Sequence, residues 1–234
     1  MSLSNDLRIE ISSRIRLSIG ACMKFYPVFL DVRDRPCVVV GGGRVAERKA
    51  LSLFDAGASV TVVSPQLTPG LHELTAKGKI AQRQKSFDDS DLDGAFLAVA
   101  ATDSQEINTS VARSCRERGI LVNVAAPPEE STFIVPSVVE RGDLLIAVST
   151  SGVSPALAAA IRQELEKTFG PEYGLFLERL TVLRGRLLRE IADEEVRRKI
   201  FRAVVDSDVL YLIRAGELHE ADRRIAEIAK EAAR

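Results

Sequence analysis

From Pro36 onward, short apolar runs rich in β-branched residues alternate with longer segments whose apolar positions recur at helical spacing. Cys37-Val38-Val39-Val40 is an unbroken apolar run that ends on three glycines, which predicts a strand buried on both faces and feeding a tight turn. Behind the glycines, Val45, Ala46, Lys49, Ala50 and Leu53 fall on one helical stripe that Gly57 brings to a stop. Ala58 to Val63 is the next buried strand, and Ser64-Pro65 ends it. The rhythm then repeats, with a helix over Leu67 to Lys77 and a short strand over Ile80 to Gln84. A fully apolar strand over Ala95 to Ala100 follows, then a helix over Ile107 to Gly119 and a strand over Ile120 to Val124. Strands that alternate with helices in this way predict a parallel sheet covered on both faces.

Past Pro127-Pro128 the texture changes. Phe133-Ile134-Val135-Pro136 and Leu144 to Ser149 read as two strands around the turn Arg141-Gly142-Asp143, either extending the sheet or building an interface. Ser154-Pro155 opens a helix through about Thr168, a serine cap followed by proline at the first helical position. From Glu172 onward the pattern is helical throughout. The fold class expected is therefore α/β, a Rossmann-type parallel sheet with a small strand–helix module and an all-helical C-terminal region. Its boundaries are drawn at residues 24–135 for the parallel-sheet domain, 136–170 for the strand–helix module and 171–234 for the helical domain. Met1 to Cys22 is polar with scattered Ile and Arg. It is expected to be a leader foreign to the native chain or a loose helix of small structural weight, with Met23 the more natural beginning.

Composition narrows the chemistry. A formal net charge of −1 gives no global field for nucleic acid or a membrane surface, and no partner of either kind is expected. The three cysteines, Cys22, Cys37 and Cys115, are too far apart for a C-x-x-C pair, which fits a reducing cytoplasm. Only two histidines occur, His72 and His219, so a histidine-rich metal cage is disfavoured and no metal site is expected; both read as surface residues, His219 near the end of a helix.

Gly41-Gly42-Gly43-Arg44-Val45-Ala46 satisfies G-x-G-x-x-G/A between a predicted strand and a predicted helix, the context that gives this motif its meaning. The first glycine allows a sharp turn, the second lets backbone approach a pyrophosphate, and the small third residue lets helix and strand pack closely. Helix-start amides then face the phosphates. Contacts to the cofactor are expected from Gly41, Gly42, Gly43, Arg44, Val45 and Ala46, from Ser64, Pro65 and Gln66 after the second strand, and from Ala101, Thr102 and Asp103 after the apolar strand. The acid that usually grips the ribose 2'-hydroxyl is missing from Val63-Ser64-Pro65-Gln66, and no basic cluster for a 2'-phosphate replaces it, so NAD is favoured over NADP only as a leaning.

Several linked motifs are similar to those of the precorrin-2 dehydrogenase family, which includes the N-terminal module of multifunctional sirohaem synthases. They are Tyr26-Pro27-Val28-Phe29-Leu30, the block from Val39 to Lys49, Ala100-Ala101-Thr102-Asp103, Asn123-Val124, Phe133 to Ser137, and Ala147 to Ala158. The resemblance spans about Tyr26 to Leu165. It implies a homodimer that oxidises precorrin-2 to sirohydrochlorin with NAD+ on the route to sirohaem. In some relatives it also implies insertion of ferrous iron. It further implies that residues 24–135 are the NAD-binding domain and residues 136–170 the dimerisation module, the second domain supplying the interface and substrate contacts.

One departure bears on mechanism. The family's key catalytic aspartate aligns with Ala126 in Asn123-Val124-Ala125-Ala126-Pro127-Pro128. Either water removes the proton because the conjugated product makes its loss easy, or Glu129 or Glu130 reaches in, or the protein is an impaired NAD- and tetrapyrrole-binding relative. Asp103 either touches cofactor or substrate, as a catalytic candidate, or caps the helix beginning near Gln105. The arginines Arg179, Arg184, Arg186, Arg189, Arg197, Arg198 and Arg202 are candidates for the substrate's carboxylates. The interleaved Glu178, Glu190, Glu194 and Glu195 favour a salt-bridged helix face instead. The stripe Leu175, Leu180, Leu183, Leu187, Leu188 and Ile191 reads as core or dimer seam. Thr150-Ser151-Gly152-Val153-Ser154 reads equally as an anion site or as a capped loop.

Overall fold

Alternate residues of a strand face opposite sides of its sheet, and here both sides are covered. In β1 (Pro36–Val40), Cys37 and Val39 enter one hydrophobic core with Ala46, Ala50, Val60 and Val62, while Val38 and Val40 enter another with Val111, Ala112 and Val122. The computed structural model describes residues 24–232, so the expected leader over Met1 to Cys22 lies outside the described residues. The chain divides into two units, the first ending at Phe133 and the second beginning at Ile134.

In the first unit, β1 is joined by β2 (Ser59–Val63), β3 (Ala81–Arg83), β4 (Leu97–Ala100) and β5 (Leu121–Val124) in an all-parallel sheet of order β3-β2-β1-β4-β5. The connecting helices are α1 (Arg44–Asp55), α2 (Pro69–Ala76) and α3 (Gln105–Arg118). Strand order reverses between β1 and β4, the topological switch point at which open α/β sheets bind ligands beyond the carboxyl ends of their strands. Local signals set the ends of two of these helices: Thr68 caps α2 ahead of Pro69, Ser104 caps α3, and Gly119 ends α3 in the left-handed conformation.

The expected strand over Phe133 to Pro136 does not form. Ser131 and Thr132 instead turn their hydroxyls onto the free edge of β5, accepting from the Val124 and Val122 amides at 2.8 Å, and Asn123 Nδ2 donates to the Phe133 carbonyl. This stretch is thus spent on covering the β5 edge, which would otherwise present unpaired backbone groups.

In the second unit the strand begins at Ser137. β6 (Ser137–Arg141) pairs antiparallel with β7 (Leu144–Val148) around Gly142-Asp143. The pair makes its own two-stranded sheet rather than extending the parallel one. Val139 is fully buried, whereas Val138, Leu145 and Ala147 lie exposed on the opposite face. α4 (Pro155–Thr168) starts at the Ser154 cap, whose hydroxyl accepts from the Leu157 amide. α5 (Glu172–Glu190), α6 (Glu194–Val205), α7 (Val209–Arg214) and α8 (Leu218–Ala232) share a core of Phe176, Leu183, Leu187, Ile200, Val204, Val209 and Ile213. The leucine stripe of α5 is therefore core along Leu183 and Leu187, while Leu188 stands exposed. The segments 136–170 and 171–234 both fall in this unit. The Rossmann-type sheet, the strand–helix module and the helical C-terminal region are as the sequence pattern predicts.

Candidate functional site

The three glycines at the end of β1 differ in what holds them. Gly41 has φ +122°, open only to glycine, and a Cβ there would overlap the Ala101 carbonyl, so this residue lets β1 and β4 end side by side. A Cβ on Gly42 would overlap the Gln66 carbonyl, and the Gly42 carbonyl accepts from the Thr68 amide at 2.9 Å. Gly43 is the exception. Its backbone is extended, a conformation any residue adopts, and a Cβ there would meet nothing within 4 Å. Packing does not ask for glycine at this position.

Gly43 is also the N-cap of α1, with no side-chain cap. The Glu47 amide donates to the Gly43 carbonyl at 2.9 Å, and the preceding amides of the first turn have no partner among the described residues. Unpaired amides at the positive end of a helix form an anion site. Arg44 and Val45 stand exposed at this mouth, Val45 at 41%, whereas Ala46 is fully buried and lets α1 lie close on the sheet.

The three glycines open onto a cleft of 630 Å³ at the carboxyl ends of β1, β2 and β4, whose walls do not include the expected contacts Arg44, Val45 and Ala46. Its walls include Gly41, Gly42, Gly43, Ser64, Pro65, Gln66, Ala101, Thr102 and Asp103, which the structure brings together as the sequence pattern requires. Ser64 is buried and gives its hydroxyl to the Gln66 carbonyl at 2.6 Å, fixing the turn after β2. The third wall, Lys85-Ser86-Phe87, was not legible in the sequence. Lys85 Nζ is held by Asp88 and by Asp91 (3.1 Å), and these bonds raise its pKa above the usual lysine value. The same ammonium, together with Ser90, holds the Asp88 carboxyl down at about 2.

At the end of β4 the organising residue is Asn108, 1% exposed and likewise missed from sequence. Its Oδ1 accepts from the Thr102 amide (3.0 Å) and hydroxyl (2.9 Å), and its Nδ2 donates to the Thr102 carbonyl (3.2 Å) and the Ala126 carbonyl (3.0 Å). Every hydrogen-bonding position of the amide is thus used to tie the β4 loop to the β5 loop. Asp103 is exposed on the cleft wall. It does not cap α3, a role taken by Ser104, whose hydroxyl accepts from the Ile107 amide, because the serine stands three residues before that amide.

The remaining candidates lie elsewhere. Ala126 and Glu129 are exposed and outside the cleft walls, and Glu130 is ion-paired with Arg116, which also donates to the Glu130 carbonyl at 2.8 Å. Thr150 and Ser154 bond to each other, so the Thr150 to Ser154 segment is a capped loop. The arginines of α5 and α6 are largely engaged: Arg179 with Asp222, Arg186 with Glu190, Arg198 with Glu195 and Arg202 with Asp206. His72 and His219 are exposed, the latter at the N-terminal end of α8, in its first turn. Cys37 and Cys115 are buried, and desolvation pushes both thiols up to about 11. Among the described residues there is no cluster of metal-ligating side chains and no helix long and apolar enough to cross a membrane.

Comparison with known proteins follows the same division. Residues 28–137 match a family described as "Putative NAD(P)-binding", and residues 141–168 match the family of sirohaem biosynthesis protein central domains. The chain is 43% identical over 192 residues to a sirohaem synthase of Methylobacillus flagellatus, covering 80% of this chain and 41% of that protein. It is 40% identical to a sirohaem synthase of Thioalkalivibrio sulfidiphilus, over 89% of this chain and 42% of the relative. The chain therefore spans less than half the length of these relatives. Among solved structures, SirC, a precorrin-2 dehydrogenase, matches with a TM-score of 0.74 at 27% identity, over 88% of this chain and all of that one. The resemblance drawn from the linked motifs is borne out.

Proposed function

We propose that this relative of the sirohaem synthases and of precorrin-2 dehydrogenase is itself a dehydrogenase that oxidises precorrin-2 to sirohydrochlorin with NAD+, in sirohaem biosynthesis. The observation that carries the reading is Gly43, a glycine no neighbour requires, placed where unpaired first-turn amides meet the cleft. The residues present fit a dinucleotide: amides for the diphosphate, the Ser64–Gln66 turn for the adenosine end, and Thr102 and Asp103 toward the nicotinamide end.

Oxidation takes a hydride and a proton from the tetrapyrrole, and bound NAD+ supplies the hydride acceptor. The chain's own contribution is orientation. Asn108 fixes both loops that end β4 and β5, so that the cleft floor is rigid before a ligand arrives. Asp103 stands on the cleft wall and is the candidate to hold a substrate N–H or accept the departing proton. Glu129, exposed and outside the walls, is the lesser candidate. Ala126 offers no carboxylate, so water takes the proton where Asp103 does not reach.

A homodimer is part of the same proposal. It is supported by the uncovered face of the β6–β7 sheet, where Val138 and Leu145 are 38% and 44% exposed. The proposal is tested by mixing protein, precorrin-2 and NAD+ and following NADH absorbance. NADH formation above the protein-free rate is expected, and its absence would overturn the assignment.

A further inference from the structure

The cleft lacks the acid that ordinarily repels a 2'-phosphate at the end of β2, yet it has cations beside that position. β3 pairs with β2 in the register Val63↔Arg83, and just beyond that pair the chain turns so that Lys85 shares the cleft wall with Ser64, Pro65 and Gln66. A free lysine there would attract the extra phosphate of NADP(H). It is not free: Asp88 and the 1%-exposed Asp91 both hold its ammonium, and Asp91 also takes Arg83 at 3.0 Å. Two cations and two carboxylates leave the group electrically neutral. Asp91 is itself built in, because its second oxygen accepts from the Asp88 amide at 3.0 Å, closing a capping box that fixes the turn.

We infer that the Asp88–Asp91 pair sets the choice between NAD(H) and NADP(H), by occupying Lys85 rather than by touching the ribose. The inference rests on the nucleotide-binding reading above. It makes Asp88 and Asp91 specificity-determining residues that act through Lys85. Removing one carboxylate leaves a net positive charge beside the adenosine ribose, which a doubly ionised 2'-phosphate would feel and a hydroxyl would not.

The test is the ratio of dissociation constants for NADPH and NADH, measured by calorimetry in low-salt buffer. Variants are Asp88→Asn, Asp88→Ser and the double variant Asp88→Asn/Lys85→Gln. Asn and Ser both keep a capping oxygen for the Ser90 amide, so at least one folded single variant is expected. Either single variant should shift the ratio toward NADPH by about threefold to tenfold, the shift should shrink at high salt, and Lys85→Gln should abolish it. An unchanged ratio in the single variants, or a shift that survives Lys85→Gln, overturns the inference. If wild type binds neither nucleotide, the nucleotide-binding reading itself fails, a result separate from a wild type that binds NADH while its variants keep the same ratio.

Discussion

At the scale of single residues, Gly43 and Asn108 carry different kinds of necessity. In Gly43→Val the added Cβ meets nothing within 4 Å and the backbone needs no unusual conformation, so the melting temperature should stay within a few degrees while NADH affinity falls at least tenfold, about 1.4 kcal/mol. Gly42→Val, by contrast, collides with the Gln66 carbonyl and should destabilise the fold itself. Asn108→Ala leaves Thr102 and Ala126 groups without their partner, at a cost of roughly 1–3 kcal/mol by chemical denaturation. A general base is typically worth about 10²–10⁴-fold. If water suffices at Ala126, then Ala126→Asp should change kcat by less than about tenfold, and a hundredfold rise would show that the missing carboxylate limits the reaction. The glycine fingerprint was legible because the motif lies within a few consecutive residues between a strand and a helix. Asn108 and Lys85 were not: Asn108 bonds to Ala126 on another loop, and the carboxylates that hold Lys85, though only three and six residues on, say nothing of the distant residues with which it shares a cleft wall.

At the scale of elements, the parallel strands were legible since burial on both faces forces unbroken apolar runs such as Cys37 to Val40. The start of β6 was not: Phe133 to Pro136 is apolar enough for a strand, but Ser131 and Thr132 are used to close the edge of β5. The two faces of the sheet hold one thiol each, Cys37 and Cys115. Their folded pKa values, about 11, lie above the ordinary 9.0, so the unfolded chain gives up these protons first. The stabilisation is complete below pH 9 and is lost as pH climbs toward 11. Urea midpoints should therefore fall over that window, and Cys115→Ala should flatten part of the fall; an identical slope in the variant would assign the loss to other groups.

At the scale of the whole molecule, the β6–β7 face gives the proposed dimer a specific handle. A two-fold interface places the same patch on both partners, so Leu145→Asp sets a pair of buried charges against each other and should yield a folded monomer by sedimentation. A dimer that persists with Leu145→Asp would move the interface elsewhere. The proposed cofactor and reaction both depend on a single premise, uptake of a dinucleotide's diphosphate by the amides at the start of α1. The most direct test is calorimetric titration of the full chain with NADH. Saturable binding of one nucleotide per chain at submillimolar concentration is the predicted result, and no association up to millimolar nucleotide would contradict it.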